Sequence, residues 1–296
     1  MTHVVAVVGP TAVGKSDYAV GKSDYAVELA LRLGGEILSC DSMQVYRGMD
    51  IGTAKPTAAE MRGVPHHLID LAEPEEPFSV SDYVMAARAV VADVTARGKI
   101  PIFCGGTGLY LDRFLCGGLS APDVPENPAL REELFAFAAS HGNAALHNLL
   151  RDLDPVSADA IHPNNVKRVV RAIEICRASG TPKSELDRAS RSSEPLCDAD
   201  VIGLSLPRDE LYDRIDRRVD RMMEAGLAEE VARLDSRGVF EKNHTAAQAI
   251  GYKELLPFVR GSASLSSAVN SLKLATRHYA KRQLTWFKAK SYVKWI

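Results

Sequence analysis

A phosphate loop near the start of the chain constrains the fold more than any other feature of the sequence. The apolar residues 4–8 lead directly into the pattern Gly-x-x-x-x-Gly-Lys-Ser, and a helix-forming stretch follows. In such a loop the backbone N–H groups face an anion, the lysine adds a point charge, and the serine hydroxyl ligates a phosphate-bound Mg²⁺ ion. The expected phosphate site consists of Gly9, Pro10, Thr11, Ala12, Val13, Gly14, Lys15 and Ser16, with Ser16 as the metal ligand.

The same loop contains a tandem repeat of seven residues. Residues 14–20 read GKSDYAV, and residues 21–27 are an identical copy. Only the first copy has a second glycine, Gly9, five positions before its own, so we expect it to complete the phosphate loop and Lys22 to lie away from the site. Seven residues advance a helix by about two turns, roughly 10 Å, and fall about 20° short of full register. A longer helix and a looped bulge are therefore equally good predictions for the extra residues.

Composition is typical of a soluble enzyme. The chain has 296 residues, of which 46% are apolar and 25% charged, and its net charge is −2. This length allows one large or two modest domains with a full core. The five cysteines are widely spaced without Cys-x-x-Cys pairs, which favours reduced thiols over disulfides or zinc. No signal-peptide pattern or membrane-spanning apolar stretch is visible, so we expect a cytoplasmic monomer with no membrane partner.

Basic residues are concentrated toward the C-terminus. No acidic residue follows Glu254. Such uneven charge in a near-neutral chain indicates a polyanionic partner, although a solvated helix face explains it equally well. The basic residues after Glu254 are Arg260, Lys273, Arg277, Lys281, Arg282, Lys288, Lys290 and Lys294, and a second cluster contains Lys167, Arg168 and Arg171.

Predicted strands and helices alternate in the first part of the chain. Helices are expected to end at Leu33 and Ala96, the second of them capped by Ser79 or Ser81. The predicted strands lie at residues 3–8, 36–39, 100–104 and 201–206. Alternation indicates a parallel sheet whose ligands bind at the carboxyl ends of the strands. We therefore expect Gly9, Asp41 and Thr107, each at a strand end, to meet in one crevice.

The middle of the chain changes to helices only. Predicted helices there cover residues 128–141, 144–153 and 164–178, followed by a polar linker at 188–200. Further helices are predicted at residues 208–237, 245–259 and 265–288. The expected fold is α/β, a P-loop NTPase-like parallel sheet with flanking helices and an all-helical insertion. Residues 1–121 and 201–296 would form the core domain, and residues 122–200 the insertion domain.

Several motifs in a fixed order span nearly the whole chain. After the phosphate loop come DSMQVY at 41–46, DIGTAKP at 50–56, PHHLID at 65–70 and GGTGLY at 105–110, and later IHPNN at 161–165, QAIGYKE at 248–254 and AKRQLTWF at 280–287. In content and order they closely resemble the tRNA dimethylallyltransferases, the bacterial tRNA isopentenyltransferase family. The one clear departure is the second heptad copy, whose removal would restore the family's spacing between Lys15 and Asp41.

The resemblance implies a prenyl transfer. The dimethylallyl group of dimethylallyl diphosphate would move to N6 of adenosine 37, next to the anticodon of tRNA, and diphosphate would leave. Lys15 and Mg²⁺, the implied cofactor, would stabilise the departing anion, and Thr107 would lie near it. Asp41 is the implied general base for the N6 proton, although a helix cap or a metal ligand would also explain an aspartate there.

The resemblance also implies contacts with the anticodon stem-loop. The target base must leave its stack, which costs a few kcal/mol. Tyr252 and Trp286 are possible stacking residues, but helical spacing suits core positions as well, and for Trp286 we favour the core. We interpret His66 and His67 as structural. The residues expected to contact tRNA, most of them in the helical insertion and the motifs, are Asp41, Ser42, Met43, Gln44, Thr107, Arg131, Lys167, Arg168, Arg171, Gln248, Gly251, Tyr252, Lys281 and Arg282.

Three other functions share parts of this pattern. A phosphate-loop kinase would need ATP and an arginine-rich lid, and gives no reason for the helical insertion. An adenylate isopentenyltransferase acts on free nucleotides and needs no basic surface for RNA. A purely regulatory nucleotide-binding protein would not require polar residues at the second and third strand ends.

Overall fold

A computed structural model describes residues 2–15, 20–115, 124, 126–191 and 197–296. The chain divides into two compact units, Met1–Phe114 with Cys197–Ile296, and Leu115–Leu196. The boundaries predicted from sequence differ from this division by at most seven residues (121 against 114). The first unit is the α/β core, and the described part of the second contains helices only.

A six-stranded sheet organises the first unit. The described strands are β1 (Thr2–Val8), β2 (Gly14–Lys15), β3 (Val20–Gly21), β4 (Gly35–Cys40), β5 (His66–His67), β6 (Ile100–Gly105), β7 (Cys197–Gly203) and β8 (Val293–Trp295). The sheet order is β5-β4-β6-β1-β7-β8, with β2 and β3 forming a separate pair. Every pairing in the large sheet is parallel, which confirms the predicted fold class.

Helices account for most of the remaining described residues. They are α1 (Lys22–Leu33), α2 (Ala58–Met61), α3 (Val80–Ala96), α4 (Gly108–Leu115), α5 (Pro128–His141), α6 (Asn143–Leu153), α7 (Pro155–Ala160), α8 (Val166–Ser179), α9 (Lys183–Arg191), α10 (Arg208–Glu224), α11 (Leu227–Ser236), α12 (Val239–Lys242), α13 (His244–Ala247), α14 (Tyr252–Val259) and α15 (Leu265–Lys288). Within the described residues, none of these helices has the length and apolar character needed to cross a membrane.

Helices on both faces explain why the central strands contain continuous buried apolar runs, such as residues 4–8 of β1. Val7 of β1 and Ile102 of β6 pack with Ala26 of α1 in one buried cluster. Phe103, which points to the opposite face, lies against Phe114 of α4 with ring centroids 4.6 Å apart. A parallel sheet covered in this way buries continuous apolar runs, and all six residues of β4 are buried.

His67 has a structural partner at the edge of the sheet. Its Nε2 lies 2.7 Å from Oε2 of the buried Glu36, which also pairs with Arg97. Hydrogen bonds from Arg97 outweigh the effect of burial and lower the pKa of Glu36 to about 2. This arrangement agrees with the interpretation of His67 as a structural residue.

Most predicted element boundaries hold, and the exceptions have physical causes. The predicted helices over Pro128–His141 and Leu265–Lys288 match the observed bounds at both ends. The polar linker predicted at 188–200 is wrong at both ends, because α9 continues to Arg191 and β7 already begins at Cys197. Pairing of β7 with β1 along its whole length outweighs the polar composition of its first residues. The predicted helix over 208–237 is two helices, separated where Gly226 adopts φ 95°.

Candidate active site

The repeated heptad forms a hairpin that leaves the phosphate loop and returns to it. β2 pairs with β3 in antiparallel fashion, and Gly14 is the cross-strand partner of Gly21. The chain therefore departs at the glycine of the first copy and comes back at the glycine of the second. Of the two alternatives predicted for the extra residues, the structure shows the bulge and not the longer helix.

Lys22 lies at the phosphate loop, so the prediction that it lies away from the site is wrong. It is the first residue of α1, and its Nζ is 3.4 Å from the carbonyl oxygen of Gly9. Burial lowers the pKa of Lys22, opposed by the neighbouring Cys104 and Asp41. Lys15, predicted to be the lysine of the phosphate loop, belongs to β2. Ser16 lies outside the described residues, and its role as a metal ligand stays a prediction.

Residues 9–13 have the tight backbone of an anion-binding loop. Gly9 adopts φ 145°, and a Cβ there would lie 2.6 Å from the carbonyl oxygen of Leu204. Ala12 has a left-handed φ of 60°, and the Val13 N–H donates to the Pro10 carbonyl at 3.3 Å. Such turns point several N–H groups to one side, which suits a phosphate.

Gln283, which sequence reasoning missed, connects two of the strand ends. Its Oε1 accepts a hydrogen bond from the Thr11 N–H at 2.8 Å, and its Nε2 donates to the Gly106 carbonyl at 3.1 Å. A Cβ on Gly106 would lie 1.9 Å from that Nε2, so the glycine is needed for this approach. The signal for Gln283 is its position in the AKRQLTWF motif as a polar residue that α15 buries.

Asp41 and Thr107 meet, as predicted, at the ends of β4 and β6. Asp41 Oδ1 accepts the Met43 N–H at 2.9 Å, so this oxygen caps a turn. Thr107 Oγ1 accepts the Ser42 N–H at 3.0 Å, and the Thr107 N–H donates to the Cys40 carbonyl at 3.1 Å. The two loops are thus bonded to each other beside Lys22, which Asp41 attracts electrostatically.

Arg218 is a half-buried cation that Asp41 attracts electrostatically, and sequence reasoning also missed it. Burial lowers its pKa, and attraction to Asp41 is the strongest opposing effect. Arg218 follows the buried Leu211 by seven positions and Ile215 by three, so it lies on the inward face of α10. An arginine on an otherwise apolar helix face is the sequence feature that could have identified Arg218 as a site residue.

Tyr279 completes this group from α15. Its hydroxyl is hydrogen-bonded to Thr107 and Gln283, and burial raises its pKa. The guanidinium of Arg282 lies over the Tyr279 ring, with Cζ 5.7 Å from its centroid. The side chains of α15 therefore reach both the Thr107 loop and, through Gln283, the phosphate loop.

Tyr252 is fully buried, so of the two interpretations left open for it the structure shows the core position and not a base-stacking one. Its hydroxyl donates to the buried carboxylate of Glu230 at 2.7 Å. The same carboxylate accepts the N–H groups of Asp50, Ile51 and Gly52 at 3.0, 3.0 and 3.1 Å. Burial raises the pKa of Tyr252, with Glu230 adding to the effect, so the phenol stays protonated. Tyr252 and Glu230 together fix the loop that follows the DSMQVY motif.

Trp286 is not a core residue, contrary to the prediction. It is 39% exposed, and one edge covers Gly108, where a Cβ would lie 2.3 Å from Trp286 Cδ1. The ammonium of Lys290 lies 5.3 Å from the ring centroid. The exposed aromatic beside the Thr107 loop is therefore Trp286.

Gln44 shapes the loop on the other side of Asp41. Its Oε1 accepts from the Ser39 hydroxyl at 2.8 Å, and its Nε2 donates to the carbonyls of Thr53 and Ala54 at 3.2 Å. Ser42 and Met43 are half-buried beside it. Gln248 is exposed, and Gly251, with φ 101°, would carry a Cβ only 3.7 Å from the Cα of Gly52. The structure thus gathers the predicted residues of these motifs in one region.

Acidic partners from other segments neutralise most of the basic C-terminal residues. Lys281 and Arg282 are exposed and have no ion pair within the described residues. The charge asymmetry of the sequence is therefore much reduced in space, and what remains lies beside Trp286 and Tyr279. The paired residues are Arg260 with Asp235, Lys273 with Asp220, Arg277 with Asp216, Lys290 with Asp112, and Lys294 with Asp200.

Two of the arginines predicted to contact tRNA hold the second unit together. Arg131 donates to the buried Glu174 at 2.9 Å, and Arg171 lies 2.5 Å from the same carboxylate. Burial opposes ionisation of Glu174, but these hydrogen bonds outweigh it and its pKa is lowered. Lys167 and Arg168 are exposed and, within the described residues, have no ion pair. Their contact with tRNA stays a prediction.

Comparison with known families gives matches over nearly the whole chain. A family model described as IPP transferase matches residues 44–290, and a model described as Isopentenyl transferase matches residues 2–73. Proteins named tRNA dimethylallyltransferase from Shouchella clausii and Halalkalibacterium halodurans are 50% and 47% identical over 293 residues. These alignments cover 99% of this chain and 90% of each relative.

Solved structures show the same similarity. A full-length tRNA isopentenylpyrophosphate transferase from Bacillus halodurans is 46% identical, with a TM-score of 0.71, over 100% of this chain and 90% of that one. A eukaryotic dimethylallyltransferase, described as acting on tRNA, is 28% identical, with a TM-score of 0.83, over 100% of this chain and 74% of that one. Both similarities extend over the strand ends described above.

Proposed function

Because the chain belongs to the IPP transferase family, we propose that it transfers the dimethylallyl group of dimethylallyl diphosphate to N6 of adenosine 37 in tRNA. The observation that supports this proposal most strongly is that the ends of three strands lie together. A phosphate loop at Gly9, a carboxylate at Asp41 and a hydroxyl at Thr107 share one region with two half-buried cations, Lys22 and Arg218. A transfer to an amine with a diphosphate leaving group needs these groups together.

The chemistry assigns a role to each charge. The allylic C–O bond breaks with its electron pair going to the diphosphate, while the N6 lone pair forms the new C–N bond. Lys22, Arg218 and the loop N–H groups stabilise the negative charge that develops on the leaving oxygen. The N6 proton passes to Asp41, most directly to Oδ2, since Oδ1 holds the turn at Met43. Thr107 positions the Asp41 loop through its bond to Ser42.

The donor groups fit a Mg²⁺ ion that the diphosphate itself largely holds. Within the described residues, no group of three or more His, Cys, Asp or Glu side chains forms a metal site. Mg²⁺ commonly takes only one or two protein oxygens, with phosphate oxygens and waters as its other ligands. The exposed Ser23 hydroxyl in the first turn of α1 would supply one such oxygen. When bound, the ion neutralises charge on the leaving group.

tRNA is the acceptor we propose in preference to a free nucleotide. Lys281 and Arg282 are exposed cations near Trp286, whose exposed ring suits an unstacked base. Lys167 and Arg168, which have no ion pair among the residues that the structure describes, offer further exposed charge on the second unit. A free-nucleotide enzyme would need none of these groups. We also propose that the protein acts as a monomer in the cytoplasm, where tRNA is modified.

The direct test uses the purified protein with labelled dimethylallyl diphosphate. We expect the label to enter unmodified tRNA at adenosine 37 and not AMP or ATP-dependent products. Label in AMP alone would favour an adenylate isopentenyltransferase, and phosphate transfer from ATP would favour a kinase. Either result would overturn the proposal.

Asp41→Asn tests the general base. An asparagine still accepts the Met43 N–H, so the turn and both substrate affinities should be retained. The rate of the chemical step should fall by a factor on the order of 10² or more, because the amide cannot take the proton. Single-turnover rates at saturating substrates measure this step. A rate close to that of the parent would remove Asp41 from the mechanism.

A further inference from the structure

The two identical heptads offer two lysines and two serines for one phosphate loop. We propose that Lys22 and Ser23 of the second copy, and not Lys15 and Ser16 of the first, are the pair that completes the phosphate loop. This inference rests on the proposed function, because it names the residues that hold the diphosphate. It reverses the assignment of Lys15 and Ser16 that the spacing along the sequence favours.

The backbone shows how the second copy replaces the first. Gly14 and Gly21 are cross-strand partners at the base of the hairpin, so Gly21 stands beside the position where the loop would otherwise continue. Without residues 14–20, the loop reads Gly9 to Val13 followed by Gly21, Lys22 and Ser23. That order restores Gly-x-x-x-x-Gly-Lys-Ser in space, although not along the chain.

The surroundings of Lys22 are those of a phosphate-binding lysine. Its Nζ lies 3.4 Å from the Gly9 carbonyl and 3.4 Å from a Cβ built on Gly106, between the ends of β1 and β6. Its own carbonyl accepts the Cys104 thiol at 3.7 Å, which anchors the start of α1 to the sheet. The hydrogen bond to Gly9 is long, so an anion entering the loop can replace it.

Packing of α1 explains why the second copy is selected. Ala26, Val27 and Ala30 are buried against the sheet. If the helix began at Ser16 and kept the same contacts, the repeat would fill the sites of Ala26 and Val27 with identical residues. Beyond the repeat, however, Lys22 would replace Leu29, and Ser23 would replace Ala30, which is 1% exposed. A hydroxyl buried at the Ala30 site without a partner is costly, and an ammonium at the half-buried Leu29 site would interrupt the apolar face.

The link to the next strand also opposes a longer helix. α1 ends at Leu33, Gly34 has a left-handed φ of 64°, and β4 begins at once with Gly35. A Cβ on Gly35 would lie 2.6 Å from the Ile100 carbonyl, so this residue is fixed closely against β6. A helix end displaced by roughly 10 Å could not return to β4 through one residue.

Matched substitutions in the two copies test the assignment. Deletion cannot, because removing residues 14–20 or residues 21–27 gives the same shorter chain. Binding of inorganic diphosphate with Mg²⁺ to the full chain is measured by calorimetry. We expect Lys22→Ala to weaken binding at least about tenfold, since a charge-assisted bond is lost, and Lys15→Ala to change it less than about twofold. Ser23→Ala and Ser16→Ala should show the same contrast in Mg²⁺ dependence.

The outcomes separate this inference from the proposed function. A loss in Lys15→Ala equal to or larger than that in Lys22→Ala overturns the inference, as does a parent chain that binds no diphosphate. If Lys22→Ala fails to fold, unaltered binding by Lys15→Ala still supports it, and lost binding still contradicts it. A chain that shows the expected contrast but transfers no prenyl group to tRNA would contradict the proposed function alone.

Discussion

The two copies of the heptad have the same residues and different structures. In the first copy Gly14, Lys15 and Val20 lie in the strands of a short hairpin, whereas in the second Lys22 opens a helix whose Ala26 and Val27 are buried. Local helix propensity is the same in both copies, so it cannot decide which copy becomes the helix. The comparison shows that the residues which follow each copy decide its structure.

Those following residues differ in their fit to the sheet. The second copy is continued by Leu29 and Ala30, which extend the apolar face that packs on β1, β4 and β6. In a helix formed by the first copy, Lys22 and Ser23 would take the places of Leu29 and Ala30 and interrupt that face. Most of the stability of a helix in a protein comes from packing of its apolar face, and a short helix alone is marginal. The second copy therefore becomes the helix.

The largest expected effect comes from a charge placed in the buried position of the helical copy. Ala26 is fully buried, so Ala26→Asp should lower the free energy of unfolding by more than about 3 kcal/mol. The matched control is Ala19→Asp in the other copy, for which we expect a smaller loss because the helix that packs on the sheet begins at Lys22. Denaturant unfolding followed by circular dichroism measures both. Equal destabilisation would mean that both copies share the core position.

A smaller effect is expected when one copy is removed. The hairpin adds seven residues to a loop that needs none of them, and closing such a loop costs about 1–2 kcal/mol. The shortened chain should therefore unfold at a higher temperature and bind diphosphate at least as well as the parent. A lower melting temperature would show that the insertion makes stabilising contacts of its own.

Sequence reasoning predicted the parts of the site that depend on regular patterns. The strand ends at Gly9, Asp41 and Thr107 meet because parallel strands end at one edge of the sheet. The bounds of α15 follow from its amphipathic period and the Ser264 cap. These features depend on short-range chemistry that a single sequence contains.

What it could not predict depends on partners distant in the chain. Tyr252 is buried because Glu230, on another helix, accepts its hydroxyl, and Arg131 is taken by Glu174. Gln283 and Arg218 reach the site from two helices. Local patterns predict that these helices pack on the sheet, but not that their polar side chains enter the site. The position of Lys22 could not be predicted for a similar reason. It depends on the pairing of Gly14 with Gly21, which the spacing from Gly9 does not indicate.

Protection of lysines by diphosphate tests, on the unaltered chain, whether Lys22 or Lys15 binds the anion. The protein is treated with an amine-acetylating reagent, with and without Mg²⁺ and inorganic diphosphate, and acetylation of each lysine is located by mass spectrometry of the segment ending at Glu28. We predict that diphosphate slows acetylation of Lys22 and leaves that of Lys15 unchanged. Protection of Lys15 with no change at Lys22 would show that the first copy, and not the second, supplies the phosphate-binding lysine.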